Sequence, residues 1–202
     1  MTYVEASVRR QQMLTAARAA LARNGVARTS MRAVAAEAGV PLGTLQYVFP
    51  TKEQLLRAVI GDVVDEIAAV LEGAAELEKG LDHAIRRGLT SFWEMLVVDQ
   101  TNLQIMQYEL TTYALREPGH ASLARWQYER YSSIVAQWCQ QAAHNAGETC
   151  AVPFGRLARV IVACMDGLIM QHVCDPNEVR SREDLETTLD MLVGLAAAKR
   201  HA

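Results

Sequence analysis

The stretch "TSMRAVAAEAGVPLGTLQYVF" (residues 29–49) concentrates groups able to read a polyanion. It reads as a helix, a four-residue turn with Gly39, then a short second helix, which is the helix-turn-helix pattern. A helix of this kind enters the DNA major groove and presents its first turns to base edges. Base edges are read by small polar, aromatic and apolar groups, whereas charge is needed around them for phosphates. The scarcity of charge after Arg32 is therefore no objection, and Arg28, Arg32, Lys52 and the arginines of the first helix suit the outer role. A generic helical hairpin has the same shape, so shape alone does not decide. Other chemistries find little support. His83, His120, His144, His172 and His201 are scattered and form no Ser-His-Asp pattern, so no catalytic residue is assigned and an enzyme is not expected. Cys139, Cys150, Cys164 and Cys174 lack CxxC pairing and lack a His at ligand spacing, which predicts reduced thiols, no metal and no cofactor.

Elements must position these groups. The chain has 202 residues, half of them apolar, with only five prolines and no runs of alternating β-branched residues. This predicts an all-α protein of about nine helices. Helix 1 is expected over residues 7–24, with Met13, Ala17 and Leu21 on one stripe. Gly25 ends it, and Thr29 or Ser30 caps helix 2. Pro41 suits a helix first turn, and Pro50 stops helix 3. "TKEQ" then opens helix 4 as a capping box, from residue 52 to about 71. Helical stripes continue through Leu81, Ile85, Leu89 and Leu96, and through Leu103, Met106 and Leu110. Pro118 and Gly119 break the chain before a helix over residues 121–146. A loop at residues 147–153 and helices over about 153–173 and 182–199 complete it. The expected domains are a DNA-binding unit, 1–52, and a helical body, 53–202, joined directly through helix 4.

Charge is divided in the same way. Residues 1–52 carry seven basic groups against Glu5 and Glu37, and the remainder carries thirteen basic against twenty-one acidic groups. A basic end on an acidic body suggests that one end meets a polyanion. The N-terminus "MTYVEASVRRQQ" is too polar for a signal peptide, and the apolar run at residues 160–165 is broken by Asp166 and too short to span a bilayer. No membrane partner and a cytoplasmic location are expected.

The first 60 residues go beyond pattern. The "AA..L...G...TS" lead-in, "AGV", "GTL", a Tyr and Phe ending helix 3, and "KEQLL" together resemble the tetracycline-repressor (TetR) family of bacterial transcription regulators. The resemblance implies that Ser30 and Arg32 sit where the family touches phosphates and sometimes a base. It implies that Leu42, Gly43, Thr44, Gln46 and Tyr47 form the exposed face of the recognition helix, and that Tyr47 and Lys52 hold phosphates. Leu45, Val48 and Phe49 read as core. Two departures stand out: Gln46 replaces the usual aromatic, and Pro41 replaces the more frequent Ser cap. Gln46 can bond an adenine edge in bidentate fashion, or meet a phosphate or water.

The resemblance also implies a helical domain that binds a small-molecule effector and dimerises. Trp93, Met106, Tyr108, Tyr113, Trp126, Tyr131, Trp138 and Met165 are the pocket candidates, because buried Trp and Tyr need partners for their polar atoms. Core packing is the plainer reading of each. Glu109, Gln137 and His172 could supply further polar groups. Helix 153–173 is apolar on more than one face, which points to a partner. Leu157, Ile161, Leu168, Leu185, Leu189 and Leu192 are the expected homodimer contacts. The function expected is a ligand-responsive repressor that binds a palindromic double-stranded operator as a dimer. A DNA-binding regulator without a small-molecule ligand, including an activator, stays open.

Overall fold

The computed structural model describes every residue except 1–2, 75, 99, 118–120 and 201–202, and leaves out the side chains of residues 3–5 and 200. The expected break at Pro118–Gly119, His120 and His201 lie outside the described residues. Nine α-helices are present among the described residues: α1 Tyr3–Asn24, α2 Met31–Glu37, α3 Leu42–Val48, α4 Lys52–Ala74, α5 Leu81–Leu96, α6 Thr101–Arg116, α7 Ala121–Asn145, α8 Phe154–Cys174 and α9 Glu178–Ala196. The chain divides into two compact units, Met1–Val63 with Asn102–Gln127, and Val64–Thr101 with Tyr128–Ala202. The first unit therefore extends past residue 52 and takes in α6.

In the first unit the helix ends follow from local chemistry. Ser30 caps α2, its Oγ accepting the Ala33 N–H at 3.2 Å. At the other end Gly39 adopts φ +64°, and the Gly39 and Val40 N–H groups donate back to the Ala36 and Ala35 carbonyls. That is a Schellman ending, and it turns the chain sharply into α3. Pro41 precedes α3, where a missing N–H costs nothing. Thr51 Oγ accepts the Gln54 N–H at 3.1 Å and starts α4. The stripe of α1 is buried as expected, with Met13, Ala17, Ala20 and Leu21 at the core beside Val34, Leu45, Phe49 and Leu56.

The second unit is organised around α5, which packs on α9, and α9 on α8. Gly88 lets α5 approach α7: a Cβ there would sit 2.3 Å from the Trp138 ring. Two features depart from expectation. The loop at 147–153 contributes a two-residue antiparallel ladder, Glu148 opposite Arg200 and Thr149 opposite Lys199. Its purpose is local, since the Glu148 carboxylate accepts the Leu81 N–H at 2.8 Å and caps α5, where an anion complements the helix dipole. The last helix also starts four residues earlier than expected, because the Asn177 side chain accepts the Arg180 N–H at 3.0 Å. By length and composition alone α8 is long and apolar enough to cross a membrane, with a mean hydropathy of 1.5, and within the second unit it packs against α9.

Candidate nucleic-acid interface

Helix α3 is seven residues long and carries no charged side chain. Leu45 points inward and is fully buried, and Phe49 is buried just beyond the helix with the Arg10 guanidinium 5.3 Å above its ring. With Leu45 as anchor, the opposite side must face outward. Gly43, Gln46 and Tyr47 are exposed, three and four positions apart, and Leu42 and Thr44 flank them half-buried. Tyr47 is 90 % exposed, an extreme value for so large a ring. Around this face Arg28 and Arg32 are exposed. The Arg28 Nε–H donates to the Asn24 carbonyl at 3.0 Å, which holds its guanidinium beside the α1–α2 corner. Ser30 is exposed, and its Oγ is engaged as the α2 cap.

Three expected cations have other tasks. Arg18 pairs with Asp62 at 2.8 Å, and Arg23 pairs with Glu37, tying α1 to α4 and to α2. Lys52 is turned inward. Its ammonium donates to the Val26 carbonyl at 2.8 Å and lies 4.8 Å from the centre of the Tyr113 ring. Burial lowers the Lys52 pKa below the ordinary lysine value, and the charge of Glu117 partly opposes this. Lys52, expected at a phosphate, makes these contacts within the first unit, where a carbonyl and a ring face stabilise a partly desolvated ammonium.

The expected pocket residues fall into two groups. Met106, Tyr108, Tyr113 and Trp126 belong to the first unit, and Trp93, Tyr131, Trp138 and Met165 to the second. Met106 is core, Tyr108 and Tyr113 are half-buried, and Trp126 lies 5.3 Å beneath the Arg57 guanidinium. In the second unit Trp93 meets His172 edge-on at 5.4 Å, and His172 Nδ1 lies 3.1 Å from Ser181 Oγ. Met165 is buried, and Tyr131 meets Tyr128 edge-on at 5.9 Å. Trp138 is buried, and its Nε1–H has no partner among the described residues. Gln137 is exposed. Two polar groups escaped the sequence reading, Asp166 and Tyr128, while Glu109 is among its candidates. Glu109 serves as a backbone acceptor for Val26, and the half-buried Asp166 takes a hydrogen bond from Tyr128. Burial raises the Asp166 pKa, and the tyrosine bond opposes that. Periodicity carries no signal for such groups, because their partners lie on other helices. Among the described residues no group of three metal-ligating side chains occurs.

The expected dimer contacts have a place within the single chain. Leu157, Ile161, Leu185, Leu189 and Leu192 are all buried within one chain, where α5, α8 and α9 pack together. Leu168 is half-exposed, and the outer side of the two helices presents Ala163, Gly167, Met170, Val179 and Met191 instead.

Comparison with known proteins completes the description. The sequence model of the bacterial regulatory proteins of the tetR family matches residues 13–59, and that of the tetracyclin repressor-like C-terminal domain matches residues 83–195. The chain is 27 % identical over 182 residues to the HTH-type nicotine-responsive transcriptional repressor HdnoR of Paenarthrobacter nicotinovorans, covering 90 % of this chain and 92 % of that one. A TetR-family regulator from Rhodococcus sp. has the same fold, with a TM-score of 0.77 at 22 % identity over 94 % of this chain and 99 % of that chain. The multidrug binding protein EbrR, solved with imidazole, superposes with a TM-score of 0.64 at 28 % identity, covering 93 % and 89 % of the two chains. Its complex with malachite green is similar as well, with a TM-score of 0.61 at 27 % identity, covering 93 % of this chain and 97 % of that one.

Proposed function

The chain belongs to the TetR family of bacterial regulatory proteins, and from that premise we propose that it is a cytoplasmic, ligand-responsive repressor. In this reading it binds a near-palindromic operator as a homodimer and is released by a small organic effector. The observation that carries it is the outward face of α3. A 90 % exposed tyrosine beside an exposed glutamine, on a helix anchored by one buried leucine, has little use except contact with another molecule. Arg28, Ser30, Arg32, Leu42, Gly43, Thr44, Gln46 and Tyr47 form the proposed contact set, within a DNA-binding segment of residues 1–52. Residues 53–202 form the effector and dimerisation part.

Dimerisation is supported by α8, whose apolar window is mostly unburied within one chain. Leu168, Gly167 and Met191 are the proposed contacts. The small, exposed Ala163 and Gly167 there let two helix pairs approach closely. The effector class follows from chemistry on both sides. HdnoR responds to nicotine, and EbrR has been solved with imidazole and with malachite green, all nitrogen-bearing organic molecules. In this chain the Asp166 carboxylate with Tyr128 could pair with a protonated nitrogen, and the Trp138 Nε1–H could donate to an acceptor.

The test has two stages. Duplexes selected from a random pool by the purified protein should converge on an inverted repeat with half-sites about 34 Å apart. A panel of organic bases is then screened for release of that duplex. A pool that does not converge refutes the regulator reading. Convergence with no release by any base leaves a regulator that works without an effector of this class.

A further inference from the structure

The α1–α2 corner is held from outside itself. Gly25 turns the chain with φ +81°, and Val26 follows with its side chain buried. The Val26 N–H donates to Glu109 Oε2 of α6 at 2.8 Å, and its carbonyl accepts the Lys52 ammonium of α4 at 2.8 Å. Both partners are charged, so both bonds are of the stronger kind. Glu109 and Tyr113 stand one turn apart on α6. Their side chains therefore share a face, and the Tyr113 ring supports the ammonium at 4.8 Å. A cleft of about 380 Å³ runs between the corner and this face of α6, with Arg28 among its walls. Gly25 suits this arrangement: its φ of +81° strains any L side chain, and a Cβ there would stand 3.0 Å from the Glu109 carboxylate.

The position of the tie in the chain gives it meaning. Val26 lies in the turn between α1 and α2, and Lys52 opens α4 after α3. The Lys52–Val26 bond therefore closes the helix-turn-helix at its two ends, and Glu109 pins the closed loop to α6. Neither group is on the outward face of α3. We propose that Glu109 and Lys52 are positioning residues for DNA reading, which clamp Val26 from two sides and so set the pose in which α2 and α3 meet the duplex. This rests on the DNA-binding function proposed above. A tie of this kind restricts the hinge between α1 and α2, so its loss is felt in sequence-specific binding, where register matters, and hardly in loose attraction to phosphates.

The test uses the full chain and the duplex that the wild-type protein selects. Affinity for that duplex and for a scrambled one is measured by fluorescence anisotropy across a salt series, and melting is recorded alongside. Glu109→Ala and Lys52→Met are expected to lose roughly ten- to a hundredfold in affinity for the selected duplex, the range of one charge-assisted hydrogen bond. Affinity for the scrambled duplex and the slope against salt should stay as in the wild type. Glu109→Gln, which keeps an acceptor of the same shape, should recover most of the loss. If Lys52 instead touches a phosphate, Lys52→Met lowers both affinities alike and reduces the salt slope by about one contact, which overturns its role here. If Glu109→Ala melts lower yet binds as tightly as wild type, the tie is only structural and the proposal fails. Should Glu109→Ala not fold, Glu109→Gln decides: a smaller loss confined to the selected duplex upholds the proposal, and unchanged affinity overturns it. A wild-type protein that selects no duplex overturns the DNA-binding function itself, an outcome distinct from all of these.

Discussion

Helices α3 and α8 are both poor in charge, yet they leave different things exposed. In seven residues α3 can bury only Leu45, so its remaining surface is displayed, and what it displays is polar and aromatic: Gln46 and Tyr47. In twenty-one residues α8 has room for two faces. One, with Leu157, Ile161, Met165 and Ile169, enters the core of its own chain, and the other, with Ala163, Gly167 and Met170, is small and apolar. Low charge therefore has two meanings here. On the short helix it accompanies groups with directional hydrogen bonds, suited to reading base edges. On the long one it accompanies a surface suited to close packing against a second copy.

The contrast can be broken most forcefully at Leu192. This side chain of α9 is 1 % exposed in a single chain. Leu192→Asp should abolish folding, or cost about 4 kcal/mol or more, the penalty of an unpaired buried charge. Urea denaturation measures it, and a variant that folds normally as a monomer would return Leu192 to the dimer contacts. The outer side of α8 should behave in the opposite way. Leu168→Asp is expected to retain its helical circular dichroism and to sediment as a monomer where the wild type sediments as a dimer. On α3 the expected effect is finer still. Gln46→Ala should leave the melting temperature unchanged and relax preference at one base per half-site, by about 1–3 kcal/mol of discrimination. Equal weakening on selected and scrambled duplexes would assign Gln46 to a phosphate instead.

The smallest effect belongs to Asp166, the one carboxylate of α8. Burial raises its pKa above the ordinary 3.8, so the folded state holds the proton longer than the unfolded state does. Stability is then lost as pH rises from that ordinary value through the raised folded one. Asp166→Asn escapes this loss. Its amide oxygen still accepts the Tyr128 O–H, so it should melt above wild type at about pH 7 and level with it below the ordinary aspartate range, which differential scanning calorimetry at the two pH values checks.

Helix ends were readable because they depend on near neighbours. Ser30, Gly39, Pro41 and Thr51 each act within a few residues, and each does what its type predicts. The buried stripe of α1 was equally clear, since a 3.6-residue period needs no knowledge of what it packs against. The dimer leucines show the complementary side. An apolar face can be counted from sequence, but whether its cover is α5 and α9 of the same chain or a second copy cannot.

Sequence alone determined the helical class, the family and the outward side of the recognition helix, all products of spacing and local propensity. Tertiary structure decided the partners of the polar groups. Lys52 is twenty-six residues from the carbonyl it holds, and Glu109 is eighty-three from its N–H. A charged side chain settles wherever the folded chain offers the best acceptor or donor as water is withdrawn, and that choice exists only after distant helices have met.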